Sequence, residues 1–276
     1  MRLTTIGLPT GGTAAARIDG TTWTRLPFDT LDDLLRSPDA RAAARGRGTQ
    51  LVAGVATLLP PVVAPSKVLC VGHNYRAHIL EMGHEIPTSP TLFAKHADTL
   101  LAPGARLRLP AGVSDRVDWE GELAVIIGAE LYRASPVEAE AAVAGYTVAN
   151  DISLRDWQRR GSQWLPGKMF DATTPLGPVM VTADEFQPVA GVRLRTWVNG
   201  ELVQDGDLGD LVFSVPELLA DISTFTRLRP GDVVLTGTPS GVGDARSPKR
   251  YLLDGDTVEV EIDRLGRIST TYEITD

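Results

Sequence analysis

One cysteine stands among 276 residues, which excludes an intrachain disulfide. Its setting in the apolar run Val68-Leu69-Cys70-Val71 makes Cys70 a buried, inert thiol rather than a nucleophile. Apolar stretches are short. None approaches the roughly 20 residues that a helix needs to span a bilayer, and Met1-Arg2-Leu3-Thr4-Thr5 lacks the hydrophobic stretch of a secretory signal. Positive charge is in deficit: 27 Lys and Arg against 35 Asp and Glu leave a net charge of -8. That balance argues against nucleic acid and anionic membrane as partners. The expectation is a cytoplasmic enzyme long enough to bury a large core. The glycine-rich stretch Gly237-Thr238-Pro239-Ser240-Gly241-Val242-Gly243 lacks the Gly-Lys-Ser/Thr of a phosphate loop and opens no helical pattern, so it reads as a turn.

What the chain does have is acid in an apolar setting. Glu120 and Glu122 flank Gly121 immediately before the run Leu123-Ala124-Val125-Ile126-Ile127, which Gly128 closes. That run predicts a buried strand, and residues two apart on a strand share a face. Both carboxylates therefore project together at the mouth of the strand. Like charges held side by side against a core are costly without a cation between them, and a hard divalent ion takes such oxygen ligands. A solvated strand end is the alternative. Asp151 lies at the end of another strand candidate, Tyr146-Thr147-Val148-Ala149. There a third carboxylate would complete a Glu, Glu, Asp set open to water or substrate; equally, it is placed to cap the following turn. His78 and Glu81 stand three apart in a short predicted helix with Asn74 as N-cap and Gly83 as its C′ residue. A carboxylate that orients an imidazole makes it a better general base for water, whereas a surface ion pair has the same spacing.

Six segments, in order, resemble the fumarylacetoacetate hydrolase family, in its bacterial acylpyruvate hydrolase and 2-hydroxyhepta-2,4-diene-1,7-dioate isomerase-like branch. They are Gly72-His73-Asn74-Tyr75 with His78 and Glu81, then Thr91-Leu92-Phe93-Ala94-Lys95, then Glu120-Gly121-Glu122-Leu123. Asn150-Asp151-Ile152-Ser153-Leu154-Arg155-Asp156-Trp157-Gln158, Gly167-Lys168-Met169-Phe170-Asp171 and Leu235-Thr236-Gly237-Thr238-Pro239-Ser240-Gly241-Val242-Gly243 complete the series. The resemblance runs from Ser66 to the C-terminus. It implies that Glu120, Glu122 and Asp151 hold Mg²⁺ or Mn²⁺, with Ca²⁺ a substitute in crystals. It implies that His78 and Glu81 activate water and that Lys168 neutralises charge developing on the substrate. Arg155 and Gln158 match groups that reach substrate oxygens, and Thr238 lies in the loop that closes over the bound carboxylate. His73 stands where many relatives carry Arg or Leu, which alters the expected pocket rim. Lys95, two residues after Phe93, turns either to the pocket or to solvent. The implied partner is a small 2-oxo acid, and the implied assembly a homodimer.

Many short strands, few helices and no alternating βα rhythm predict an α+β protein, in keeping with the mixed β-roll that the resemblance implies. Residues 1–63 read as a small N-terminal α/β domain, with strands at 3–6 and 14–18 and a helix from Asp29 that continues through 41–45. Pro60, Pro61 and Pro65 mark the boundary to a catalytic domain over 64–276. Ser135-Pro136 with Glu138 spells a capping box for a helix that Gly145 ends, and Ser214 with Glu217 spells another. Asn199-Gly200 predicts a two-residue hairpin. The stretch from Asp244 to Lys249 reads as solvated surface, and His84 and His96 as exposed or loop histidines.

The chemistry predicted is metal-dependent cleavage of a C–C bond in a 2,4-dioxo acid of the acylpyruvate or fumarylpyruvate type. Water held by His78 attacks a carbonyl, and a pyruvate-type enolate departs with its charge stabilised by the metal and Lys168. The same enolate serves oxaloacetate decarboxylation or tautomerisation, or isomerisation of a 2-hydroxy-dienoate. The pair His78 and Glu81 favours hydrolysis, since decarboxylation needs no activated water. A non-catalytic protein that binds 2-oxo acids is the alternative of another class, and the presence of a base weighs against it.

Overall fold

The computed structural model describes residues 1–81, 83 and 85–276. Strands dominate, and the architecture is mixed α+β. The main path of a twelve-stranded sheet starts with Thr49–Val52, Thr22–Arg25, Thr13–Asp19, Arg2–Gly7 and Thr174–Thr182. It continues through Val143–Asn150, Gly121–Ile127, Val233–Leu235, Val68–Gly72 and Thr91–Lys95. A five-stranded sheet is built from Glu201–Asp207, Arg193–Val198, Thr257–Ile262, Gly266–Thr275 and Arg106–Pro110.

The strand Gly121–Ile127 shows why an unbroken apolar run suits this fold: it is covered on both faces. Leu123, Val125 and Ile127 join a core with Leu194, Val260 and Ile262 of the five-stranded sheet. Ala124 and Ile126 join a second core with Leu31, Leu34 and Leu35 of an N-terminal helix. All five strand residues are 0% exposed, and full burial of a Leu, Val or Ile side chain contributes roughly 1.5–3 kcal/mol. Gly121 is required here, because a Cβ would lie 2.4 Å from Thr196 Oγ1 on the facing sheet.

The N-terminal strands pair as a hairpin, and Arg2 and Leu3 extend the same sheet by pairing with Val181 and Met180. The expected single helix is two, Leu31–Arg36 and Ala40–Arg45. Pro38 forces the preceding Ser37 into extended backbone at ψ 146°. Both capping boxes form, and Asn199 and Gly200 make the hairpin turn at φ 52° and 81°. Gly145 does not end the helix Pro136–Ala141; it lies within the strand Val143–Asn150. A Cβ there would approach the Val181 carbonyl oxygen to 2.3 Å, so close strand approach demands this glycine. No helix among the described residues is long and apolar enough to cross a membrane.

Candidate active site

The antiparallel register that sets Gly121 opposite Asn150 brings two strand ends together. Asp151 N–H donates to the Glu120 carbonyl at 2.8 Å, and Asn150 Oδ1 accepts from Glu120 N–H at 3.0 Å. Glu122, two residues along the pleat, shares the face of Glu120. One carboxylate oxygen from each of Glu120, Glu122 and Asp151 lies within 4.8 Å of the others, and the residues are 7%, 1% and 0% exposed. This is no solvated strand end, and Asp151 caps no helix: both its oxygens are taken by lysines.

Three cations are buried with the acids. Lys168 Nζ lies 2.6 Å from Glu120 Oε2 and 2.7 Å from Asp151 Oδ2. Lys95 Nζ donates to Asp151 Oδ1 at 2.6 Å; it is 2% exposed, turned inward, and reaches the acids rather than solvent. Arg155 Nη1 lies 2.7 Å from Glu120 Oε1, and its Nε donates to Asp118 Oδ2 at 2.8 Å. Lys168 arrives on the short helix Leu165–Lys168, which sits directly on the preceding chain because Gly167 has no side chain. A Cβ at Gly167 would meet Gln158 N at 2.4 Å and Leu154 O at 2.5 Å.

Electrostatics divide the acids. Burial alone would raise the Glu120 carboxyl, but Lys168 and Arg155 outweigh it and hold it at about 2. Glu122 accepts the Gly237 N–H at 2.7 Å, and among the described residues no lysine or arginine pairs with it. Burial, then the charges of Asp151 and Glu120, push Glu122 well above the usual carboxylate range. Burial disfavours the Lys168 ammonium, yet Asp151 and Glu120 prevail and raise its pKa. Four buried carboxylates (Asp118, Glu120, Glu122, Asp151) thus face three buried cations (Lys95, Arg155, Lys168). A hard divalent cation on the oxygens of Glu120, Glu122 and Asp151 supplies the charge that Glu122 lacks, so the donor set fits Mg²⁺ or Mn²⁺.

A cavity of about 370 Å³ opens onto Glu120, Glu122 and Lys168, with Phe93, His73 and Trp164 in its wall. The His73 and Trp164 rings lie 5.4 Å apart. His78 is in the lining, and its Nδ1 is 3.3 Å from Glu81 Oε2. The two residues share the helix Arg76–Glu81, and Gly83 follows it at φ 71°. Asn74 does not cap that helix: its Oδ1 accepts from Phe213 N–H at 2.8 Å and its Nδ2 donates to the Thr236 carbonyl at 2.9 Å. The free N–H of Ala77 is instead satisfied by Asp210 Oδ2 at 2.9 Å, from the distant 3-10 turn Leu208–Asp210. Gln158 and Thr238 line the cavity. Gln158 Oε1 accepts from Arg155 Nη1 at 3.0 Å, and the Thr238 hydroxyl donates to the Gly121 carbonyl at 2.9 Å.

Four residues belong to the surroundings of the site beyond those expected. Asp118 fixes Arg155 and accepts from Gly243 N–H at 2.7 Å and Asp244 N–H at 3.0 Å. Its place two residues before Glu120 was the available signal, since strand spacing extends the acidic face to it. Gln204 binds the sheets together, accepting from Gly121 N–H and donating to Thr238. Asp244, expected on solvated surface, is 6% exposed and lines the cavity with Arg159. The bonds to Asp118 draw its loop inward, a long-range cause that local polarity does not reveal. His96 is exposed as expected, Cys70 is buried, and His84 lies outside the described residues.

Residues 67–272 match the family model described as fumarylacetoacetate (FAA) hydrolase C-terminal. A human mitochondrial protein named oxaloacetate tautomerase is 45% identical over 231 residues, spanning 83% of this chain and 73% of that one. The oxaloacetate tautomerase YisK of Bacillus subtilis is 42% identical over 212 residues, spanning 76% and 70% respectively. A solved structure described as 5-carboxymethyl-2-hydroxymuconate delta-isomerase from Mycobacterium smegmatis is 35% identical, with a TM-score of 0.83 over 100% of both chains. The chain is an enzyme that belongs to the fumarylacetoacetate hydrolase family.

Proposed function

We propose that this enzyme interconverts the keto and enol forms of a small 2-oxo acid of the oxaloacetate type, with a divalent cation on Glu120, Glu122 and Asp151. The observation that carries the reading is the identity of 42–45% to proteins named oxaloacetate tautomerase. It displaces C–C hydrolysis as the favoured reaction. The pair of His78 and Glu81 was the support for hydrolysis, and it serves proton transfer to and from carbon equally well.

Glu120, Glu122 and Asp151 would hold the cation, which would supply Lewis acidity at the 2-oxo acid end of the substrate. The protein groups do the rest. His78 faces the cavity with Nδ1 tied to Glu81, which leaves Nε2 to take the proton from C3. The C3–H electron pair becomes the C2–C3 double bond, the carbonyl π pair moves to oxygen, and the proton is returned there. Lys168, fixed between Glu120 and Asp151, stabilises the developing oxyanion. Arg155 and Gln158 orient the substrate oxygens, while Phe93 and Trp164 exclude water from one wall. Migration of a double bond in a 2-hydroxy-dienoate passes through the same enolate, and the likeness to a muconate isomerase favours it as a second reading.

The test follows the ultraviolet absorbance of enol oxaloacetate with Mg²⁺, with and without EDTA, while pyruvate is measured in parallel. Faster enol decay without pyruvate is expected. Pyruvate formed as fast as enol is lost would replace tautomerisation by decarboxylation, and brisk cleavage of acetylpyruvate would restore the hydrolase.

A further inference from the structure

Arg159 and Asp244 line the cavity that holds Glu120 and Glu122, yet neither has a task in the proton transfer. Arg159 presents both terminal nitrogens to Asp244: Nη1 donates to Oδ1 at 3.2 Å, and Nη2 donates to Oδ2. The arginine side chain is 49% exposed and the carboxylate 4%. Asp244 has two further donors on Oδ1, Lys249 Nζ at 2.9 Å and the Tyr251 hydroxyl at 2.7 Å. Its backbone is tied to Asp118 as well. A carboxylate held in this way keeps its place, and much of its compensation, when one donor leaves. Arg159 is the member of the pair that is free to move.

The other cations of the cavity serve the acid cluster and the 2-oxo acid end of the substrate. Arg155 is spread over Asp118, Glu120 and Gln158, and Lys168 bridges Glu120 and Asp151. Arg160, the next residue, stacks on the Trp157 ring at 3.3 Å from its centroid. A substrate of the oxaloacetate type carries a second carboxylate beyond its 2-oxo acid end. Brought into a cavity already lined by acids, that group requires a cation of its own.

We propose that Arg159 is the specificity-determining residue for the remote carboxylate of a dicarboxylate substrate, resting on Asp244 in the free enzyme and transferring both N–H donors to the substrate when it enters. The planar guanidinium fork matches a carboxylate bidentately. One carboxylate partner is exchanged for another, so the benefit is confined to ligands that bring a carboxylate to that end. Lys249 and Tyr251 hold Asp244 during the exchange. The choice of substrate class rests on the function proposed above.

Calorimetric binding in Mg²⁺ tests the inference apart from turnover. Oxalate offers only a chelating end; difluorooxaloacetate adds the remote carboxylate and has no C3 hydrogen to lose. Arg159→Met, at a half-exposed position, should weaken difluorooxaloacetate by roughly ten- to a hundredfold and leave oxalate nearly unchanged. Arg159→Lys, which keeps the charge without the fork, should lie between. Asp244→Asn removes the competing charge and should tighten difluorooxaloacetate several-fold, the opposite sign. A merely structural ion pair predicts that both variants weaken both ligands; that result, or unchanged difluorooxaloacetate binding in Arg159→Met, overturns the proposal. Should the variants bind the two ligands as expected while the wild type leaves enol oxaloacetate untouched, recognition by Arg159 stands and the tautomerase reading fails.

Discussion

Replacing Lys168 by methionine removes the ammonium that lies 2.6 Å from Glu120 and 2.7 Å from Asp151 and keeps a side chain of comparable length. Deleting one partner of a buried ion pair costs roughly 3–5 kcal/mol, because an uncompensated charge stays behind. At about 2–4 °C per kcal/mol, the metal-free variant should melt roughly 6–20 °C below the wild type at neutral pH. The sign of the pH dependence follows from Glu120, held at about 2 in the fold against about 4.3 in the unfolded chain. A depressed carboxyl contributes stability that is complete above the unfolded pKa and is lost as pH falls through the folded one. Lys168 is the largest attractive cause of that depression, so the gap between the two proteins should be widest near neutrality and narrow on acidification toward about pH 2–3. Mg²⁺ at a hundred times its Kd stabilises the folded state by about 2.7 kcal/mol, and it should raise the variant more than the wild type by supplying the missing charge. Enol turnover should fall by on the order of a hundredfold. Scanning calorimetry in EDTA and in Mg²⁺, at several pH values, reads all but the last. Equal melting temperatures in EDTA at neutral pH would refute the reading of Lys168 as a buried counter-charge.

Glu122→Gln removes the carboxyl that burial and its acidic neighbours raise. A raised carboxyl costs stability as pH climbs past its unfolded value, so the metal-free variant should melt above the wild type at neutral pH while losing Mg²⁺ binding and activity; normal Mg²⁺ binding by calorimetry would remove Glu122 from the metal site. His78→Gln should cut enol turnover by roughly 10²–10⁴ and leave Mg²⁺ affinity intact, since the ring is bound to Glu81 rather than to the acid cluster; parallel loss of Mg²⁺ binding would assign it a structural role. Gly167→Ala drives a methyl group to 2.4 Å from Gln158 N, where backbone cannot yield cheaply, so both the melting temperature and the activity should drop sharply; a wild-type melting curve would show that the helix Leu165–Lys168 can slide.

The acid cluster was legible because its signal is local in two places. Glu120 and Glu122 share a face by strand spacing alone, and the apolar run after them anchors that strand. Asp151 needed only the end of a second strand, and the register of Gly121 with Asn150 closes the gap. The capping boxes at Ser135 and Ser214 were readable for the same reason, since cap and partner lie three residues apart. What stayed hidden depends on distance along the chain. Asn74 carries the residue type of an N-cap, but the loop at Phe213 and the strand end at Thr236 compete for its amide and win. Gly145 resembles a helix stop until a neighbouring strand comes within reach of its missing Cβ. Asp244 is polar by composition and interior by virtue of contacts with Asp118, Lys249 and Tyr251. Lys95 could not be turned inward or outward without Asp151 opposite it.

Charge connects the site's stability to its choice of ligand. With every group ionised, the buried set of Asp118, Glu120, Glu122 and Asp151 against Lys95, Arg155 and Lys168 carries one negative charge in excess. A divalent cation turns that excess into one positive charge, which the carboxylate at the 2-oxo end of a substrate cancels. A monocarboxylate therefore closes the account at the acidic cluster without further help. A second carboxylate reopens it, and the cavity has one arginine whose present partner is over-supplied with donors. The same residues that make the acids tolerable in the folded chain thus leave recognition of a dicarboxylate to Arg159, outside the cluster, where an exchange of partners disturbs neither the three clustered carboxylates nor Lys168.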